Sequence, residues 1–408
     1  MVARHFAVAP VTGGTDVRIG IDTTCWANER GYGRFTRELL AELAPLARAH
    51  TLVCFLDERS AARFDLAGPH IEPVVVSQQV SPTVAAAAGG GRSPVDMLRL
   101  TAAVRRARVD VFFCPSVYGY FPLPPGLPAV VTIHDAIAER FPALTLPGWR
   151  DRLFWRLKVW LAVKQARVVL TVSDHAAGEI TRYLGVPRDR LRVTLEGVAE
   201  AYRPSDSPAD IAAAAARAGV PAGARWIIYV GGFGPNKYVD VLARAHAAVT
   251  RRRGEPLYLL LVGPNQDAFH QDLAGIREAV QTGGTDQLVR WLGYLPDEEL
   301  RHLHSGAVAL VLASAAEGFG LPAVEAARCG TPVIATLESP LPQVLEGGGL
   351  FVPPGDQTAL EQALEALLAD EPARQALGRR ALERAAALSW TKSAQVVLSA
   401  VEDAAIGR

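Results

Sequence analysis

Short Val/Ile/Leu runs recur along this chain, and between them apolar residues return at helical spacing. Val17-Arg18-Ile19-Gly20-Ile21-Asp22 reads as a first strand. A helix is predicted from about Tyr32 to Ala49, with Leu39, Leu40, Leu43 and Leu46 on its apolar side. Further strands are predicted at Thr51 to Leu56, Val109 to Phe113, Ala129 to Ile133 and Val168 to Val172. A second series begins near Trp226: Trp226 to Val230, Tyr258 to Val262, Val289 to Leu292, Val308 to Leu312, Pro332 to Ala335 and Gly349 to Val352. Near-continuous apolar strands alternating with helices are the pattern of a parallel sheet covered on both faces. Two such series predict an α/β chain of two Rossmann-like, doubly wound parallel-sheet domains. The Pro/Ser-rich stretch Tyr202-Arg203-Pro204-Ser205-Asp206-Ser207-Pro208 divides them. The expected domains are residues 16–203 and 209–388, followed by a last helix over 389–408.

Length and composition narrow the class. The 408 residues suffice for two domains with separate cores. The 42 basic residues balance 42 acidic ones, so nothing points to nucleic acid. Cys25, Cys54, Cys114 and Cys329 are far apart and suit free thiols in a reducing compartment. No apolar run approaches the ~20 residues that span a bilayer, and MVARHFAVAPVTGGTD reads as a lead-in rather than a signal peptide. The expected location is cytoplasmic. Val84 to Arg92 (VAAAAGGGR) is low-complexity and reads as a mobile loop. Trp149 to Arg167 holds six basic residues, one acidic residue and three of the seven tryptophans. Its aromatics are expected to pack on the first sheet with the basic side solvated. A peripheral seat on an anionic membrane surface is the alternative.

The candidate chemistry concentrates in residues 314 to 336, SAAEGFGLPAVEAARCGTPVIAT. Gly318 and Gly320 let the backbone turn and approach a ligand. Pro322 suits a helix start, Gly330 closes that helix, and Pro332 to Ala335 opens the next strand. Glu317 and Glu325 stand on either side of the turn. A helix N-terminus attracts phosphate, and carboxylates accept from hydroxyls, so a nucleotide sugar matches both. Taken singly, Glu325 could merely complement the helix dipole and Glu317 could be a solvated loop residue. Tyr229-Val230-Gly231-Gly232-Phe233-Gly234-Pro235-Asn236-Lys237 is a strand end, a glycine turn and a cation, opening a helix near Val239. Small residues there admit a diphosphate, and the ammonium offsets charge on a leaving nucleotide.

The Glu-x7-Glu pattern in EGFGLPxxEAxxxGxPVI resembles the retaining glycosyltransferases of family 4, whose two facing Rossmann-like domains form the GT-B architecture. The likeness runs over nearly the whole chain beyond the first fifteen residues, and is nearest in look to mannosyltransferase-like members. It implies that Glu317 contacts donor-sugar hydroxyls and Glu325 the ribose. Lys237 would hold the diphosphate beside the Phe319, Gly320 and Leu321 amides. Many members carry Arg where Gly232 and Asn236 stand, so here Lys237 would bear more of that charge. Gly31-Tyr32-Gly33-Arg34 matches the family's glycine loop beneath the donor, shaping the acceptor entrance. In V-T-I-H-D, His134 would lie by the donor sugar, and Asp135 would orient the imidazole or face the acceptor. Ser173 and Glu196 match landmarks near the cleft. The last helix, with its S-W-T-K start, would cross back onto the first domain.

The resemblance implies transfer of a sugar from a nucleotide diphosphate sugar, GDP-mannose or a UDP-sugar, to a glycan, lipid-linked or small-molecule acceptor. Such a reaction belongs to polysaccharide or glycoconjugate biosynthesis. No cofactor and no metal are expected, because no Asp-x-Asp pair stands at a strand end to hold Mg²⁺ or Mn²⁺. Three rivals are a sugar phosphorylase, a dehydrogenase and an inactive binding partner. The first shows no motif for pyridoxal phosphate or a phosphate acceptor. The second lacks the third glycine of its fingerprint, Thr36 standing there. The third would be expected to have lost Glu317, Glu325 or Lys237.

Overall fold

The structure is a computed structural model that describes residues 16–28, 31–79, 93–146, 148–264 and 272–407. The lead-in before Asp16 and the loop expected over Val84 to Arg92 lie outside the described residues. Two all-parallel sheets carry the chain. The first has seven strands: β1 (Arg18–Asp22), β2 (Thr51–Leu56), β3 (Ile71–Val75), β4 (Val111–Cys114), β5 (Ala129–Thr132), β6 (Ala166–Thr171) and β7 (Leu191–Val193), in the order β3-β2-β1-β4-β5-β6-β7. The second has six: β8 (Arg225–Val230), β9 (Leu257–Val262), β10 (Val289–Gly293), β11 (Leu310–Leu312), β12 (Val333–Thr336) and β13 (Gly349–Val352), in the order β10-β9-β8-β11-β12-β13.

Both orders reverse direction once, between β1 and β4 and between β8 and β11. In open α/β sheets ligands bind beyond the strand C-termini at such reversals. The central strands are buried on both faces, as Ile19, Ile21, Val53, Phe112, Ile227, Leu260 and Val311 show, which is why they read as continuous apolar runs. Two strands escaped the sequence reading, and both are edges. β3 carries Pro73 and is largely exposed; an edge strand tolerates the missing N–H. β7 is three residues long. The first helix runs Gly31–Leu46 and stops short of the predicted Ala49.

The segment over 202–208 is tied down rather than loose. Tyr202 is fully buried, Arg301 Nε donates to the Arg203 carbonyl (3.1 Å), and Ser205 N–H donates to Ser305 Oγ (3.0 Å). Two helices, Gln357–Ala369 and Glu371–Ala385, follow β13. The last helix, Trp390–Ile406, then returns to the first sheet. Its Trp390 ring lies 5.7 Å from Phe35, Thr391 Oγ1 donates to Glu42 (2.6 Å), and Asp403 pairs with Arg192 (2.7 Å).

The helix Trp149–Gln165 corrects an expectation. Of its three tryptophans only Trp155 packs inward, with Val159 and Ala162, while Trp149 and Trp160 are exposed together with Leu153, Phe154 and Leu157. Among the described residues no helix is long and apolar enough to cross a membrane.

Candidate active site

The C-terminal ends of β5, β6 and β7 in one sheet face those of β8, β11 and β12 in the other, and the predicted residues gather there. After β11 the chain turns through Ser314 to Gly320 and enters the helix Leu321–Arg328, with Pro322 in its first turn. Gly320 takes φ +91° and Gly330, past the helix end, +82°, a region glycine occupies without strain. The amides of Phe319, Gly320 and Leu321 have no acceptor among the described residues, as expected of a helix N-terminus. The Phe319 side chain is buried in the core, so only its backbone faces the turn.

Lys237 reaches this turn from the other side of the β8–β11 reversal. It closes the short 3₁₀ turn Pro235–Lys237, and Asn236 O accepts from Ala315 N–H at 2.8 Å, fixing the two loops together. Lys237 Nζ donates to Glu317 Oε1 at 2.7 Å, and Ser314 Oγ donates to the same oxygen at 2.6 Å. Glu317 is further held by its N–H, which donates to Glu338 O at 3.0 Å. Gly232 is pinned through its carbonyl, which accepts from the Tyr229 hydroxyl. Tyr238, next after Lys237, sits at φ +48°, uncommon for a residue with a side chain.

The first domain closes against Gly318. Ser173 Oγ, at the end of β6, donates to Gly318 O at 2.7 Å. A Cβ on Gly318 would stand 2.7 Å from His134 O and 2.9 Å from Asp135 Cβ, so the approach requires glycine. His134 follows β5. Its Nε2 lies 3.0 Å from Pro115 O, its Nδ1 3.5 Å from Glu196 Oε1, and its ring meets Phe35 edge-on at 4.7 Å. A carbonyl only accepts, so Nε2 carries a proton. Asp135 Oδ1 accepts from Ile137 N–H at 3.0 Å. Loss of solvent raises its pKa, opposed by that N–H and by the nearby His134 and Lys237.

The glycine loop is not a loop: Gly31, Tyr32 and Gly33 form the first turn of the helix Gly31–Leu46. Gly31 is open, whereas a Cβ on Gly33 would meet Asn28 O at 2.1 Å. Tyr32 stacks on Tyr118 at 5.8 Å.

Arg34 proves more central than the sequence suggested. It crosses to the second domain, where Nη2 donates to Asp297 Oδ2 at 2.5 Å and Nε lies 3.1 Å from Glu325 Oε1 without hydrogen-bond alignment. Tyr202 OH also donates to Asp297, at 3.0 Å. Glu325 lies in the middle of its helix, past the first turn, and is 3% exposed. Burial pushes its carboxyl up to about 8; Arg34 opposes this, and the charges of Asp297, Glu38 and Glu196 add to it. The structure therefore brings Lys237, Glu317, His134 and Asp135 to one point of the cleft and turns Glu325 toward Arg34. The only sequence signal for Arg34 was a cation in the first turn after the glycines; Asp297 gave none. Among the described residues no group of three or more His, Cys, Asp or Glu is placed to hold a metal ion.

Two parallel-sheet domains facing across such a cleft define the GT-B class, and the comparisons agree. A family model described as Glycosyltransferase Family 4 matches residues 30–201, and one described as Glycosyl transferases group 1 matches residues 210–384. An O-antigen chain mannosyltransferase B from Escherichia coli is 31% identical over 265 residues, 64% of this chain and 67% of the relative. A D-inositol 3-phosphate glycosyltransferase from Saccharomonospora viridis is 32% identical over 289 residues, 68% of this chain and 65% of that relative. The chain thus spans about two thirds of the length of the relatives it matches. The Anabaena protein HepE, solved with UDP and glucose, shares the fold with a TM-score of 0.72 at 20% identity, over 94% of this chain and 99% of that one. The chain belongs to the family 4 glycosyltransferases.

Proposed function

We propose that the protein moves a hexose from a nucleoside diphosphate sugar, GDP-mannose or a UDP-sugar, to a glycan, lipid-linked or small-molecule acceptor with retention of configuration and without a metal. The observation that carries this reading is the Lys237–Glu317 pair, 2.7 Å apart at the mouth of the Leu321–Arg328 helix. A cation and a carboxylate there match the two halves of a donor. Lys237 and the amides of Phe319, Gly320 and Leu321 take the diphosphate, with Gly232 leaving room for it. Glu317 accepts from sugar hydroxyls. Glu325 accepts from the ribose, which must displace Arg34 to reach it. His134 lines the floor of the cleft where Gly318 approaches. Asp135 and the Gly31-Tyr32-Gly33 turn border the acceptor side.

Charge on the leaving diphosphate grows as the glycosidic bond breaks, so fixed donors aimed at it favour the transition state over the ground state. That diphosphate can then take the acceptor's proton on the face of attack, so no residue is assigned as nucleophile. Hydrolysis of a panel of nucleotide sugars without acceptor tests the reading. Release of one sugar with its α-anomeric configuration kept supports it; no release from any donor, with none bound in calorimetry, overturns it.

A further inference from the structure

Among the described residues, none covers one apolar face of the helix Trp149–Gln165. Thirteen large apolar side chains among the described residues are exposed, and five of them are Trp149, Leu153, Phe154, Leu157 and Trp160. At about 100° per residue these five fall within one arc of roughly 140°, opposite the buried Trp155, Val159 and Ala162. Such clustering differs from the single exposed apolar residues common on any surface. Arg150 and Lys164 lie within the arc and Arg156 borders it, all exposed. The helix's single acid, Asp151, lies outside the arc. A cleft of about 370 Å³ adjoins the face, with Trp160, Lys164, Arg156, Tyr183 and Arg190 among its lining.

We propose that this face seats the protein on an anionic lipid bilayer, with the aromatic and Leu side chains at the headgroup–acyl boundary and Arg150, Arg156 and Lys164 at the headgroups. Charge selects this occupant. In a two-fold pair of identical chains the same patch meets itself, which would set these cations against their own copies. An anionic surface neutralises them instead, and Trp is favoured where hydrocarbon meets headgroup.

Ring contacts join the seat to the cleft. Trp155, on the buried side of the helix, lies 5.0 Å from Tyr118, and Tyr118 stacks on Tyr32 at 5.8 Å. A docked helix would thus hold the acceptor side of the cleft at the membrane, for an acceptor anchored in it. This last step rests on the transfer reading above; the docking does not.

The experiment uses the full chain with vesicles of phosphatidylcholine alone or mixed with phosphatidylglycerol. Co-sedimentation and a blue shift of tryptophan emission are expected with the anionic vesicles only. Replacing Arg150, Arg156 and Lys164 by Gln should lower partition about 100-fold, from about fivefold per basic residue near an anionic surface. A second variant with Ser at Trp149, Phe154, Leu157 and Trp160 should lose binding while its melting temperature stays put, because these side chains support no core. Failure of the wild type to bind anionic vesicles overturns the proposal, as does equal binding to neutral ones. A lipid-free dimer dispersed by the Ser variant would also overturn it. Donor hydrolysis without lipid should be the same in all three proteins. Vesicle binding without hydrolysis of any donor would leave the docking standing and remove the transfer reading.

Discussion

Lys237→Ala is the sharpest perturbation, because the structure assigns that ammonium one partner and the proposed chemistry assigns it another. Its Nζ lies 2.7 Å from Glu317 Oε1, with side-chain exposures of 25% and 13%. Removing the lysine leaves Glu317 with Ser314 as its only side-chain hydrogen-bond partner among the described residues. An under-satisfied, mostly buried carboxylate costs about 1–3 kcal/mol, so the variant should melt lower. Turnover should fall further, by roughly 100-fold or about 2.7 kcal/mol, as for one lost oxyanion donor. The two effects are separable. Lys237→Met combined with Glu317→Gln removes both charges at similar volume and should restore much of the stability, while turnover stays low. Lys237→Arg keeps the charge and changes its shape, and should recover part of the turnover. Steady-state kinetics at saturating donor, with melting curves on the same preparations, decide. Near-normal turnover in Lys237→Ala would show that the diphosphate is held elsewhere and would refute the reasoning.

The Glu325→Gln variant should weaken nucleotide binding by about 1.5–3 kcal/mol, the worth of a charge-assisted hydrogen bond; unchanged affinity by calorimetry would remove Glu325 from the ribose site. With its carboxyl pushed up to about 8, Glu325 should also make nucleotide binding release a proton near pH 7, read from calorimetry in two buffers of different ionisation enthalpy. The same shift bears on stability: a carboxyl raised on folding stabilises fully below its unfolded value near 4.5 and loses that contribution as pH rises through about 8. Melting temperature should therefore decline between about pH 5 and 8 more in the wild type than in Glu325→Gln. Turnover should persist in excess chelator; loss reversed only by Mg²⁺ or Mn²⁺ would contradict the metal-free reading.

How far the sequence spoke depended on whether a feature was local. Strands such as Thr51–Leu56 and Leu257–Val262 are buried on both faces and announce themselves as unbroken apolar runs. The two missed strands are edges, where exposure and Pro73 dilute the pattern. The glycines of the 318–320 turn were legible because a tight turn and close approach leave few other residues possible. Arg34 was harder, since its partner Asp297 lies 263 positions away and no local pattern joins them. The Trp149–Gln165 helix misled for a related reason. It is apolar on two faces, and only the packed sheet decides which face is covered.

The pairing of charges within the cleft bears on selectivity. An uncompensated buried charge is costly, and within the cleft Lys237 pairs with Glu317 and Arg34 with Asp297. A donor in the proposed pose would exchange partners rather than strip water from bare charges, its phosphates taking Lys237 and its hydroxyls satisfying Glu317. A free sugar would occupy Glu317 and leave Lys237 without an anion. A free nucleoside diphosphate would do the reverse. In that pose each half-ligand would leave one member of the pair short of a partner, at about 1–3 kcal/mol for an unsatisfied group, so the pair would favour the intact nucleotide sugar over its fragments.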